Sequence, residues 1–158
     1  MKEFLETFKN KKILITGHTG FKGSWLSLWL KKLGADVTGI SIDIPSVPSN
    51  FAATRLSSQV NSQFVDIRDN DSLQKVVNTI QPDFVFHLAA QALVRPSYSD
   101  PIKTMETNAM GTANILETLK CLNKKVVASM TTSYNAYVHF EWVRGYRDTD
   151  RIGGRDPD

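Results

Sequence analysis

Residues 12–16, Lys-Ile-Leu-Ile-Thr, lead directly into Gly17-His18-Thr19-Gly20-Phe21-Lys22-Gly23, and the chain continues through Ser24-Trp25-Leu26 with good helix formers. An unbroken apolar run of this length reads as a strand buried on both faces. Three glycines spaced G-x-x-G-x-x-G between such a strand and a helix leave few folds open. The first glycine permits a tight turn, the second lets the backbone approach a ligand, and the third lets helix and strand pack closely. The helix start then offers unpaired N–H groups and a positive dipole end to an anion. This is the context that a dinucleotide-binding unit requires, and a ligand-free glycine turn is the bland alternative. Gly17, Thr19, Gly20, Phe21, Lys22 and Gly23 are thus the expected phosphate cradle.

The rest of the chain supports a β-α-β setting. The helix after the loop runs to Leu33 and stops at Gly34. Its Trp25, Leu26, Leu28, Trp29, Leu30 and Leu33 cover a wide face, which predicts a mostly buried helix. A second strand is expected over 35–42, with Pro45 and Pro48 breaking the chain after it. A short helix over 51–56 and a third strand over 63–66 follow. Asp69 is placed to cap a helix over 71–80 that Pro82 closes. A fourth strand is expected over 83–88, then a loop holding Pro96 and Pro101. One long helix over 102–122 and a fifth strand over 125–130 complete the alternation. Strands alternating with helices imply a parallel sheet with helices on both faces, and right-handed crossovers make it a doubly wound Rossmann sheet. Residues 1–131 form the expected dinucleotide-binding domain. Residues 132–158 are polar and aromatic without periodicity and read as an incomplete active-site loop segment.

Composition narrows the function classes. Hydrophobic residues make up 41% and charged residues 22%, a globular profile. The net charge of +3 comes from scattered Lys and Arg, with only Lys11-Lys12, Lys31-Lys32 and Lys124-Lys125 adjacent. No basic stripe with interleaved aromatics suggests a nucleic-acid surface, while a mild positive bias suits an anionic small molecule. The N-terminal residues show no signal-peptide pattern, and no stretch has the apolar length of a membrane span. The single cysteine, Cys121, precludes an intrachain disulfide and fits a cytoplasmic setting; it reads as a small core or helix residue. No metal ligand set is assigned.

Further residues are placed to serve a dinucleotide. Asp43 lies 20 positions beyond Gly23, at the end of the second strand. A carboxylate there accepts hydrogen bonds from the adenosine ribose of NAD and repels the 2′-phosphate of NADP. A turn-initiating Asp before Ile44-Pro45 is its other reading. Asp66 is placed to meet the adenine amine and Ile67 to pack on the ring; a strand end is the alternative. Leu88, Ala89, Ala90 and Gln91 follow the fourth strand, and the small residues among them allow close backbone approach. His87 reads as a buried strand-end histidine rather than a catalyst.

Taken together, Thr16 to Leu26, Asp66-Ile67-Arg68-Asp69, His87-Leu88-Ala89-Ala90-Gln91, Leu93-Val94-Arg95 and Asn108-Ala109-Met110-Gly111-Thr112 resemble the extended short-chain dehydrogenase/reductase family. The closer similarity is to its nucleotide-sugar 4,6-dehydratases acting on CDP-glucose, which Glu141-Trp142-Val143 and Gly145-Tyr146-Arg147 share. The resemblance implies bound NAD, with Asn108 among the cofactor residues. It implies a lyase that converts CDP-glucose to CDP-4-keto-6-deoxyglucose for surface polysaccharides such as lipopolysaccharide O-antigen. It also implies a homodimer and a C-terminal substrate domain, before which this chain stops.

The family chemistry uses a Tyr-x-x-x-Lys pair for oxidation at C4 and a Ser/Thr-Asp-Lys/Glu run for elimination. Ser133 is in place. Tyr134 stands where the elimination acid belongs, and a phenol of ordinary pKa near 10 is a poor carboxyl substitute. Asn135 replaces its lysine partner, and Asp158 falls at the position of the catalytic tyrosine. The expectation is a cofactor-binding portion that does not turn over substrate alone. A non-catalytic NAD-binding module and a portion of a related sugar-nucleotide epimerase or reductase are the alternatives.

Overall fold

The computed structural model describes residues 6–133, 137–138, 143, 145–147 and 149–153. The apolar run forms β1 (Lys12–Thr16), and four further strands join it: β2 (Asp36–Ser41), β3 (Asn61–Phe64), β4 (Phe84–His87) and β5 (Val127–Met130). All pairings are parallel, in the order β3-β2-β1-β4-β5. The order reverses at β1, and in open α/β sheets the crevice beyond the strand ends at such a switch point is where ligands bind. The doubly wound sheet expected from the sequence is therefore present.

Because β1 is central, its side chains alternate into two cores. Ile13 and Ile15 join Leu30, Ala35 and Val37 on one face. Leu14 joins Ile40, Ile67, Leu73, Val77, Val85, Ile115 and Leu122 on the other. Each fully buried Ile or Leu contributes about 1.5–3 kcal/mol. The first core is closed by α1 (Phe21–Lys32), and the second by α3 (Asn70–Ile80) and α6 (Gly111–Lys120). A short α2 (Asn50–Ala53) and a 3-10 turn (Leu56–Ser58) connect β2 to β3.

Several local expectations need correction. Helix α1 buries Gly23, Ser24, Ser27 and Leu30, whereas Trp25 and Trp29 are each 54% exposed. The small side chains let the helix axis approach the sheet, and this turns the tryptophans outward. The long helix expected over 102–122 is instead α5 (Pro101–Met105), a π turn (Glu106–Met110) and α6. Asp100 caps α5 by accepting from the Lys103 N–H at 3.0 Å. The loop expected around Pro96 contains α4 (Val94–Ser99). Strand β3 ends at Phe64, so Asp66 lies beyond the sheet. Of the two readings of Cys121, core or helix residue, the helix one holds: it is the exposed C-cap of α6. Asp69 does cap α3, accepting from the Ser72 N–H at 3.2 Å. In the last segment an antiparallel bridge joins Tyr137 to Ile152, and Tyr137 stacks on Tyr146 at 4.9 Å. Among the described residues no helix is long and apolar enough to cross a membrane.

Candidate dinucleotide site

The loop leaving β1 makes its turn at Gly17, whose φ of +75° is a conformation L residues rarely adopt. A methyl group there would also stand 2.8 Å from the Ala89 nitrogen and 2.9 Å from the Leu88 carbonyl carbon. The loops after β1 and β4 thus touch backbone to backbone. A methyl on Gly23 would overlap the Gly17 carbonyl oxygen and lie 2.9 Å from the His18 Cα. Gly20 differs, since a methyl there would meet only the Gly17 oxygen, at 3.3 Å. Its remaining side is open.

Gly20 is also the N-cap of α1. No side chain caps that end, and the first turn holds no acidic residue. The 12-residue helix therefore presents its first N–H groups and positive dipole end beside an open glycine face. This arrangement accepts an anion of phosphate type. Phe21 and Lys22 are exposed at the rim.

The other half of the loop is sewn to the exit of β2. Gly17 donates its N–H to the Ile40 carbonyl at 2.8 Å. The Thr19 N–H donates to Ser41 Oγ at 3.2 Å, and the Thr19 hydroxyl donates to the Asp43 carbonyl at 2.6 Å. The structure thus spends the Thr19 hydroxyl on backbone. The same bonds set where Asp43, exposed just past β2, leaves the sheet.

Thr16 organises the exit of β4. Its Oγ1 accepts the N–H groups of Leu88 at 3.2 Å and Ala89 at 3.1 Å. With both lone pairs used, its proton points to His87 Nδ1, 2.7 Å away. His87 Nε2 therefore carries the ring proton and donates to Thr112 Oγ1 at 3.0 Å. Thr112 in turn donates to the Asn108 carbonyl at 2.6 Å. His87 is 3% exposed, and burial pushes its pKa down. It is the buried strand-end histidine expected, with both ring nitrogens occupied.

The segment 88–91 is held from the π turn. Asn108 accepts the Gln91 N–H at 2.7 Å and donates to the Gln91 carbonyl at 3.0 Å. The Gln91 side chain folds back, donating to the Leu93 carbonyl at 2.9 Å and accepting the Leu93 N–H at 2.7 Å. Ala89 is half-buried and Ala90 exposed along this strip.

Asp66 and Ile67 lie beyond the end of β3. The Asp66 carboxylate grips Arg68, accepting from Nη2 at 2.6 Å, from Nε at 3.0 Å and from the Arg68 N–H at 2.9 Å. Hydrogen bonding to Arg68 holds the Asp66 carboxyl below its usual range. Arg68 also approaches Glu106 at 3.7 Å. These groups, with Asn70, Met110 and Asn114, line a hollow of about 540 Å³. The Ile67 side chain is buried in the core and lies where a Gly111 Cβ would be, 2.5 Å from its Cδ1. Its carbonyl accepts from Asn114 Nδ2 at 3.0 Å.

The structure thus gathers Gly17, Thr19, Gly20, Gly23, Asp43, Leu88, Ala89, Gln91 and Asn108 around the strand ends of β1, β2 and β4. Ser133 is exposed three residues past β5, while Tyr134, Asn135 and Asp158 lie outside the described residues. Sequence reasoning missed Thr16, Thr112 and His18. Thr16 carried one signal, a hydroxyl residue ending an apolar strand directly before the loop. His18 carried none, because its partners are remote in the chain.

Comparisons with known proteins follow the same geometry. The family profile of GDP-mannose 4,6 dehydratase matches residues 14–137. A CDP-glucose 4,6-dehydratase of Salmonella typhimurium is 48% identical over 151 residues, covering 95% of this chain and 42% of that protein. A GDP-mannose 4,6-dehydratase of Yersinia enterocolitica is 36% identical over 70% of this chain and 31% of that protein. The chain therefore spans less than half the length of these relatives. An epimerase structure from Methanothermobacter thermautotrophicus superposes with a TM-score of 0.73 at 26% identity, over 96% of this chain and 43% of that one. A UDP-glucose 4-epimerase from Brucella ovis, solved with NAD, gives 0.75 over 92% of this chain and 42% of that one. At 22% identity that likeness concerns the fold alone. The profile runs from within β1 to beyond β5, across every strand that builds the glycine-loop site, and the chain belongs to the GDP-mannose 4,6 dehydratase family.

Proposed function

We propose that this chain is the NAD-binding portion of a nucleotide-sugar 4,6-dehydratase, with CDP-glucose as substrate of the whole enzyme. The observation that carries the cofactor reading is the uncapped start of α1 beside the open face of Gly20. There the helix N–H groups that no side chain caps would hold the pyrophosphate, with Phe21 and Lys22 beside them. Asp43 holds the adenosine ribose. The strip Leu88, Ala89, Ala90 and Gln91, fixed by Asn108, would let backbone approach the cofactor closely. Bound there, NAD would supply a hydride acceptor and donor, so that oxidation at C4 and reduction at C6 of the sugar cancel and the net reaction, loss of water across C5 and C6, is that of a lyase. The substrate assignment rests on the 48% identity to the Salmonella typhimurium CDP-glucose enzyme. Supply of deoxy sugars to surface polysaccharide such as O-antigen, in the cytoplasm, follows from that substrate.

Residues 1–131 act as the cofactor domain and 132–158 as part of an active-site segment. Ser133 keeps a catalytic position, while Tyr134, Asn135 and Asp158 lack the proton-transfer chemistry of the acid, lysine and tyrosine they replace. The chain alone is accordingly a dinucleotide binder without turnover, which is what distinguishes it from a complete dehydratase. Pairing of two copies is part of the same proposal, with the helix around Asn108 to Lys120 as the candidate face. Calorimetric titration tests the cofactor reading: NAD binds more tightly than NADP, and equal affinities or no binding refute it. Incubation with NAD and CDP-glucose yields no 4-keto product, and product formation refutes the non-catalytic reading.

A further inference from the structure

His18 is a fully buried imidazole for which the cofactor reading has no use. It sits between the first two glycines of the cradle, yet its ring points away from the ligand side. Nδ1 lies 2.9 Å from Ser41 Oγ at the end of β2, and Nε2 lies 2.7 Å from Ser62 Oγ on β3. The ring covers the backbone of Gly39, where a methyl group would come within 2.7 Å of the His18 Cβ. On its other side it meets the edge of Phe51 at 5.4 Å. One side chain from the loop after β1 therefore spans β2 and reaches β3.

The consequence lies in what Ser41 does next. Its Oγ also accepts the Thr19 N–H, and Thr19 pins the Asp43 carbonyl through its hydroxyl. Residues 17, 18 and 19 thus close onto residues 40, 41 and 43 like a seam, and Ser62 anchors the far end of the imidazole. A carboxylate discriminates between a ribose 2′-hydroxyl and a 2′-phosphate only if it is held at a set distance from the phosphate cradle.

We propose that His18 is a positioning residue for cofactor specificity: through Ser41 it locks Thr19, and through Thr19 it fixes Asp43 relative to the glycine loop. The inference rests on the NAD reading above. It predicts that the Ser41 arm of the imidazole governs discrimination between NAD and NADP, while the Ser62 arm and the ring's packing serve stability.

Two conservative variants separate the arms. The amide of His18→Asn occupies roughly the place of Nδ1 and keeps the Ser41 contact, whereas that of His18→Gln extends toward Ser62 and leaves Ser41 with the Thr19 N–H but without its imidazole partner. Calorimetric titration of NAD and NADP and thermal melts are run on the intact chain, both variants and Thr19→Val. Loss of one well-made hydrogen bond corresponds to about ten-fold in an equilibrium constant. The NAD-to-NADP affinity ratio of His18→Gln and of Thr19→Val is expected to fall about ten-fold, and that of His18→Asn to stay within about three-fold of the parent. Both His18 variants melt below the parent, and His18→Asn, which gives up the Ser62 arm, falls further than His18→Gln. Should either histidine variant fail to fold, Thr19→Val still cuts the last link of the seam. If the parent binds NAD selectively and Thr19→Val or His18→Gln keeps its ratio, the positioning role is wrong and the cofactor reading stands. If the parent does not bind NAD, both fall together.

Discussion

Replacing Gly23 with alanine sets two opposed effects against each other at one position. Gly23 lies in the first turn of α1 with ordinary helical backbone, so alanine there is favoured by about 1 kcal/mol on propensity alone. Against this, the new methyl overlaps the Gly17 carbonyl oxygen and lies 2.8 Å from its carbon and 2.9 Å from the His18 Cα. These are backbone atoms of a tight turn, which no rotamer change relieves. Overpacking of this kind costs about 1–3 kcal/mol. Retreat of Gly17 also strains its bonds to Ile40 at 2.8 Å and from Gly20 at 3.1 Å, each contributing about 1 kcal/mol. The steric side wins, leaving a net loss of roughly 2–4 kcal/mol. For a chain of this size that lowers the melting temperature by roughly 5–15 °C. Gly20→Ala is the control, because its φ of −69° suits any residue and its methyl meets only one atom, at 3.3 Å. Loss of a favourable N-cap residue costs at most about 1 kcal/mol, so its melting temperature changes by only a few degrees. Its methyl instead stands on the open face of the cradle and weakens NAD binding. Differential scanning fluorimetry with and without NAD measures both effects. A Gly23→Ala protein melting within about 2 °C of the parent would refute the packing argument.

Acid lowers stability before any carboxylate is reached. Burial holds the imidazoles of His18 and His87 below the ordinary histidine value of 6.5. Below that pH the unfolded chain takes up protons that the folded one refuses, and each histidine removes up to about 1.4 kcal/mol per pH unit. Melting at pH 5.5 is expected roughly 5–10 °C below that at pH 7.5. Asp66, Asp69 and Asp83, all shifted down from 3.8, contribute stability that is lost only at lower pH. A flat profile over this window would contradict the hydrogen-bond order assigned to Thr16, His87 and Thr112. Asn108→Ala removes both bonds to the Gln91 backbone and costs about 1–3 kcal/mol. Hydrogen exchange at the Gln91 amide is expected to accelerate, and unchanged protection would show that the π turn does not hold that loop.

Strand β1 and the cradle were legible because their signals are local. Three consecutive apolar residues suit only a strand with both faces covered, and the glycine spacing states where backbone must pass close to backbone. Gly17 and Gly23 occupy those roles. The cap at Asp69 was legible for the same reason, since its partner is three residues away. Helix α1 was misjudged because apolar residues surround it. Periodicity cannot choose the buried side of such a helix, and close approach at Gly23 chose Ser24, Ser27 and Leu30 over Trp25 and Trp29. The break at Glu106–Met110 was equally invisible, because no proline interrupts residues 102–122.

What the amino-acid order determined by itself is therefore the alternation of strands and helices, the turn at Gly17 and the composition of the phosphate cradle, all settled by interactions within one or two turns of chain. Only the tertiary structure decided what stands around the cradle. It gave His18 a partner 44 residues away in Ser62 and His87 one 71 residues away in Thr16. It turned the Ile67 side chain into the core. These pairings depend on β1 lying between β2 and β4, and that order is set by both apolar faces of the sheet finding cover at once.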